Sequence, residues 1–117
     1  MVSNNTIPME SNCKMLSPGG YCPKPLEVAS SFLSKKWTIS LITTVGNFKS
    51  LRFNEIESKV GVTAKTLTQR LKELERENIL KRSVFNEIPP RVEYSLTKKG
   101  LKLRDALVPL INWAEQR

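Results

Sequence analysis

The chain has 117 residues, 39% of them hydrophobic and 26% charged, which is the size and composition of one globular domain. Nineteen Lys and Arg stand against 11 Asp and Glu, and a net charge of +8 favours a polyanionic partner. There is no histidine, the cysteines are only Cys13 and Cys22, and no glycine-rich nucleotide loop occurs, so the usual general base, the commonest metal ligand and a four-cysteine zinc site are missing and an enzyme is hard to build.

No metal or other cofactor is therefore expected. No apolar run approaches the ~20 residues that a membrane span needs. The opening MVSNNTIPMESNCKM lacks the basic start and apolar middle of a secretory signal, so the expectation is a cytoplasmic protein without membrane contact.

Residues 1–21 are rich in Ser, Asn, Pro and Gly and predict a flexible N-terminal arm, leaving 22–117 as the folded domain. Leu26, Ala29, Ser30 and Leu33 recur at helical spacing and predict a helix from Pro25 to Leu33 with proline in its first turn. KWTISLITTV, Lys36 to Val45, has strand propensity, but Trp37, Leu41 and Val45 share a helical face and predict a buried helix ended by Gly46 and Asn47. The short stretch Leu51–Phe53 is extended in this reading, and RFNEIESKV then places Phe53, Ile56 and Val60 on one face of a short helix.

Gly61 breaks that helix, and Thr63 is placed to cap the next by accepting a bond from a free backbone amide. In GVTAKTLTQRLKELERENIL, Leu67, Leu71 and Leu74 form the apolar seam. Lys65, Gln69, Lys72 and Arg76 fall on the opposite side, flanked by Thr66, Thr68 and Glu73. Two short helices joined by a tight turn make a helix-turn-helix. ILKRSVF (Ile79–Phe85) and RVEYSLT (Arg91–Thr97) follow as paired strands around the proline-stiffened NEIPP loop. Thr97 is set to cap a last helix with Leu103, Leu107, Leu110 and Ala114 in its seam and Ala106, Ile111 and Trp113 widening it. The fold class is α+β and mostly helical: a winged helix-turn-helix with a two-stranded wing.

The polar face opposite the three leucines suits a major groove. Lys and Arg reach guanine or phosphate, Gln pairs with adenine, and Thr suits bases or backbone. The helix amino end adds partial positive charge and free amides that favour phosphate. The plain alternative is a solvated surface, and the order of elements argues against it: a hairpin with Lys81, Arg82, Asn86 and Arg91 follows at once, where it can reach flanking phosphates or a minor groove.

The chain resembles the HxlR-type winged helix-turn-helix transcriptional regulators, relatives of the MarR group. The resemblance runs from about Cys22 to the end. It is carried by CP at Cys22–Pro23, KWT at Lys36–Thr38, RFNEI at Arg52–Ile56, KTLTQRLKELE at Lys65–Glu75 and PPRVEYSLTKKG at Pro89–Gly100. It implies a homodimer on double-stranded operator DNA, with the helix Thr63–Glu77 in the major groove, the wing along the flanking groove, and dimerisation through the terminal helices. It implies a core role for Trp37. It also implies that a cysteine at the position of Cys22 can sense oxidants or electrophiles, with Cys13 as a candidate resolving partner and a small-molecule or oxidant effector compatible with the fold.

The reading is a sequence-specific, dimeric transcription regulator, redox- or electrophile-responsive through Cys22. Lys65, Thr66, Gln69 and Arg70 are expected at or near bases, with phosphate favoured for Arg70, and Thr63 and Thr68 are further DNA-binding candidates. Lys72, Arg82, Asn86 and Arg91 are expected on the backbone. The rivals are a winged-helix protein-interaction module without specific DNA readout and a small enzyme using Cys22 as nucleophile, for which no histidine is at hand.

Overall fold

The computed structural model describes residues 19–117; the expectation of a flexible arm and the candidate Cys13 lie mainly or wholly outside the described residues. Its contacts divide the chain between Lys35 and Lys36. On the amino-terminal side, α1 (Lys24–Leu33) begins after Pro23 with Pro25 in its first turn, where a missing amide hydrogen costs nothing. The Ser30 and Ser31 hydroxyls donate to the Glu27 and Val28 carbonyls at 2.7 and 2.9 Å. No residue of α1 is buried.

From Lys36 onward the order is α2 (Thr38–Gly46), β1 (Leu51–Arg52), α3 (Phe53–Val60), α4 (Ala64–Arg76), β2 (Leu80–Phe85), β3 (Arg91–Leu96) and α5 (Lys98–Gln116). Helix α2 carries several β-branched residues, yet it is helical because the core takes it whole: Thr38, Leu41, Ile42 and Val45 are all buried. Trp37 corrects the sequence reading. It is not on the helix face but is its N-cap, half-buried, with a left-handed backbone at φ 78°, a conformation rare for a bulky residue.

The predicted hairpin forms and gains a third strand. The antiparallel sheet has the order β1-β3-β2, with Leu51 opposite Tyr94 and Arg52 opposite Glu93. Across the hairpin Leu80 faces Leu96, Arg82 faces Tyr94, Val84 faces Val92 and Phe85 faces Arg91. Leu80, Arg82, Val84, Tyr94 and Leu51 therefore share one side of the sheet.

The core collects Leu41, Ile42, Val45, Ile56, Leu67, Leu71, Leu74, Ile79 and Leu107. Burying a side chain of this kind contributes roughly 1.5–3 kcal/mol, so the three leucines of α4 fasten that helix to the body along one stripe. The seam foreseen for α5 is only half used within the chain. Leu107 is buried and Leu103 half-buried, whereas Leu110 and Ala114 are exposed.

Candidate nucleic-acid interface

The helix-turn-helix is made by local chemistry at both ends. The Arg52 amide donates to Glu55 Oε1 at 2.8 Å, closing the first turn of α3. Gly61 ends α3 at φ 79°, where a side chain would be strained, and its amide donates to the Glu57 carbonyl at 2.9 Å. Thr63 Oγ1 then accepts from the Thr66 amide at 3.4 Å, the predicted cap of α4. At the far end Asn78 adopts φ 61°, with its amide bonded to the Glu75 carbonyl at 3.0 Å and the Ile79 amide to the Leu74 carbonyl at 2.9 Å. This pair of bonds is a Schellman closure with Asn in the place of Gly. Lys99 Nζ donates to the Glu77 carbonyl at 2.9 Å, adding positive charge where the helix dipole is negative.

Held this way, α4 turns Leu67, Leu71 and Leu74 inward and leaves Lys65, Thr68, Gln69, Lys72 and Arg76 exposed. At about 100° per residue, Lys65, Gln69, Lys72 and Arg76 lie within one sector opposite the seam. The Thr68 hydroxyl donates back to the Ala64 carbonyl at 2.8 Å, which points its methyl outward. Thr66 is half-buried, and its hydroxyl is engaged by that of Thr63 at 3.2 Å.

One flank of α4 faces the wing. Thr68, Lys72 and Glu75 share a hollow of about 440 Å³ with Phe53, Arg82 and Tyr94, which brings Arg82 and Lys72 to a common rim. Arg82 and Asn86 are exposed, as a phosphate contact requires. The other flank faces the turn at Lys36–Trp37. Thr66 and Arg70 line a second hollow of about 380 Å³ with Lys36, Trp37, Gly61 and Thr63.

Two of the expected DNA contacts are already engaged inside the protein. Arg70 Nε donates to the Lys36 carbonyl at 2.9 Å, and its Nη1 lies 3.3 Å from Glu73 Oε1. Arg91 lies 3.2 Å from Glu87 Oε2 and 3.4 Å from Glu93 Oε2, with its guanidinium 4.1 Å from the centre of the Phe85 ring. Sequence reasoning does not find these arrangements, because the partners are a backbone carbonyl 34 residues away in one case and a strand register in the other.

Cys22 is disulfide-bonded and half-buried, immediately before Pro23 and α1. Among the described residues no cluster of His, Cys, Asp and Glu could hold a metal ion, and no helix is long and apolar enough to cross a membrane.

Residues 32–117 match the family model of the HxlR-like helix-turn-helix. The transcriptional regulator YvaP of Bacillus subtilis is 42% identical over 96 residues, covering 81% of this chain and 87% of its own. YodB of B. subtilis, an HTH-type transcriptional regulator, is 41% identical over 96 residues, covering 81% of this chain and 84% of its own. The reduced form of YodB superposes with a TM-score of 0.71 at 38% identity, over 83% of this chain and 94% of that one. YodB has also been solved diamide-treated and quinone-bound. The redox regulator HypR in its reduced form gives a TM-score of 0.73 at 33% identity, over 79% of this chain and 91% of that one.

Proposed function

The chain belongs to the HxlR-like helix-turn-helix family and is a DNA-binding transcriptional regulator, and on that premise we propose that α4 reads base edges in the major groove through Lys65 and Gln69, with Lys72 on the flanking backbone. The observation that carries this reading is the exposed sector of α4 opposite Leu67, Leu71 and Leu74, where these side chains have no partner among the described residues. Thr63 sits beside it at the helix amino end, where free amides favour phosphate, and Thr68 one turn further along. Arg82 and Asn86 supply backbone contacts from the wing. Arg91, flanked by two carboxylates, stiffens the wing rather than adding net charge to it.

The working form is a homodimer. On α5 the large side chains Leu101, Val108, Leu110 and Trp113 are exposed in the single chain, Leu110 at 55% and Trp113 at 61%. Exposed apolar side chains on a terminal helix support an interaction site, and a second copy of this chain is the partner proposed for it.

Regulation runs through Cys22. The neighbours YodB and HypR include structures of reduced, oxidised, diamide-treated and quinone-bound forms, and this chain carries a cysteine immediately before α1. The disulfide at Cys22 is the oxidised end of that switch; its reduction to a thiol, open to oxidants and electrophiles with Cys13 as the candidate resolving partner, would alter the dimer and release or engage DNA.

Selection of duplexes from a random pool, followed by footprinting of the winner, tests the reading. A two-fold symmetric footprint with half-sites about 10 bp apart is expected. A footprint that varies from duplex to duplex with no common register contradicts it.

A further inference from the structure

We propose that Arg70 is a positioning residue: it sets the rotation of α4 over the groove through the Lys36 carbonyl and does not itself touch DNA. This rests on the reading of α4 given above. Arg70 stands in the middle of the reading helix, one residue after Gln69, and a free arginine there would be an obvious phosphate or guanine ligand. The geometry points elsewhere. At about 100° per residue it lies on the flank of α4 shared with Thr66, toward the Lys36–Trp37 turn, not in the sector of Lys65 and Gln69.

Its donors are occupied on two sides. Nε donates to the Lys36 carbonyl at 2.9 Å, and Nη1 lies 3.3 Å from Glu73 Oε1. The Arg70 side chain is 17% exposed and that of Glu73 13%. A guanidinium presents its donors in a rigid fork, so one side chain can hold a carbonyl and a carboxylate together, which an ammonium on a flexible stem does poorly. The Glu73 carboxylate also offsets the positive charge that a phosphate would seek.

The anchor is stiff. Lys36 precedes Trp37, whose left-handed backbone at φ 78° opens α2, and the Trp37 carbonyl accepts from the Leu41 amide at 2.9 Å. Helix α2 is fixed in turn by Leu41, Ile42 and Val45, each with no exposed surface. Arg70 thus ties the reading helix to the turn that opens the buried α2, 34 residues earlier. The three leucines of α4 fix its distance from the core but leave some freedom of roll. At a side-chain radius of about 5 Å, a roll of about 10° moves the head of Gln69 by about 1 Å, beyond the ~0.5 Å tolerance of a well-set recognition site.

Arg70→Lys and Arg70→Gln, measured on the selected operator and on an unrelated duplex across a salt series, test the proposal. Both variants are expected to lose operator affinity by about tenfold, to stay within about twofold on the unrelated duplex, and to keep the wild-type salt slope. Rescue of full affinity by Arg70→Lys, with Arg70→Gln flattening the slope by about one unit on both duplexes, overturns it. The wild-type protein supplies a readout that needs no variant to fold: the Arg70 Nε–H resonance is expected to be protected from solvent exchange without DNA and unchanged with it. An Nε–H that exchanges freely until DNA is added overturns the tether alone, whereas a wild type that prefers no duplex overturns the reading of α4.

Discussion

Gly100 lies in the first turn of α5, and replacing it with alanine sets two effects of opposite sign against each other. Within an ordinary helix, Gly→Ala is favourable by roughly 0.5–1 kcal/mol, because glycine loses more backbone entropy on folding. At this position a methyl group would sit less than 3.0 Å from the Ile79 carbonyl oxygen, and 3.2 Å from both the Ile79 carbonyl carbon and Leu96 Cδ2. The nearest obstacle is backbone and cannot rotate away. That carbonyl accepts from the Thr97 amide at 3.0 Å, while Thr97 Oγ1 donates to the Asn78 carbonyl at 2.5 Å and accepts from the Gly100 amide at 3.0 Å. Making room for the methyl means lifting α5 from the turn after α4. Overpacking costs about 1–3 kcal/mol, and each loosened hydrogen bond adds about 1 kcal/mol. The collision outweighs the entropy, and Gly100→Ala should lower stability by about 1–3 kcal/mol, a fall in melting temperature of about 5–15 °C for a domain of this size. Thermal unfolding followed by circular dichroism, at matched protein concentration because the melting of the proposed dimer would depend on it, reads this directly. A melting temperature that stays level or rises would refute the close approach of α5 to Ile79.

Gln69→Ala removes an exposed side chain with no partner among the described residues, so stability should hold while affinity for the selected operator falls by about 1–3 kcal/mol; equal losses on operator and random duplex, read by fluorescence anisotropy, would contradict base reading. Arg91→Ala should change the salt slope by well under one unit, because Glu87 and Glu93 already lie within 3.4 Å of the guanidinium. A slope flattened by about one unit would mean that Arg91 leaves its carboxylates for a phosphate. Cys22→Ser should abolish the response of DNA binding to diamide or a quinone while leaving binding in reducing buffer intact, and a variant that still responds would remove Cys22 from the mechanism.

The parts of the structure legible in the sequence are those encoded by neighbours in the chain. The leucine seam of α4, its Thr63 cap, the break at Gly61 and the alternating strands of the hairpin follow from spacing and local hydrogen bonds, and all four are present. What escapes sequence reasoning depends on distant partners. The extended stretch at Leu51 is legible, but its pairing with β3 some forty positions later is announced by no local pattern. Trp37 fits a helical face by spacing, yet the chain enters α2 through a left-handed turn at that residue, and periodicity carries no signal for a positive φ. The basic residues show the same division. Lys65 and Lys72 are exposed as their helical phase requires, while the equally basic Arg70 and Arg91 are held by a distant backbone carbonyl in one case and, in the other, by Glu87 of the loop, Glu93 of the same strand and the Phe85 ring across the hairpin. A sequence gives the number of positive charges; only the fold says which of them are still available.

The exposed sector of α4 is a reading surface only if this protein distinguishes one duplex from another. Competition binding at physiological salt between a duplex chosen by the protein from a random pool and a shuffled duplex of the same composition measures that distinction. The account predicts a preference of about 10³-fold or more. Equal affinity for the two duplexes would leave only the +8 net charge at work and would contradict it.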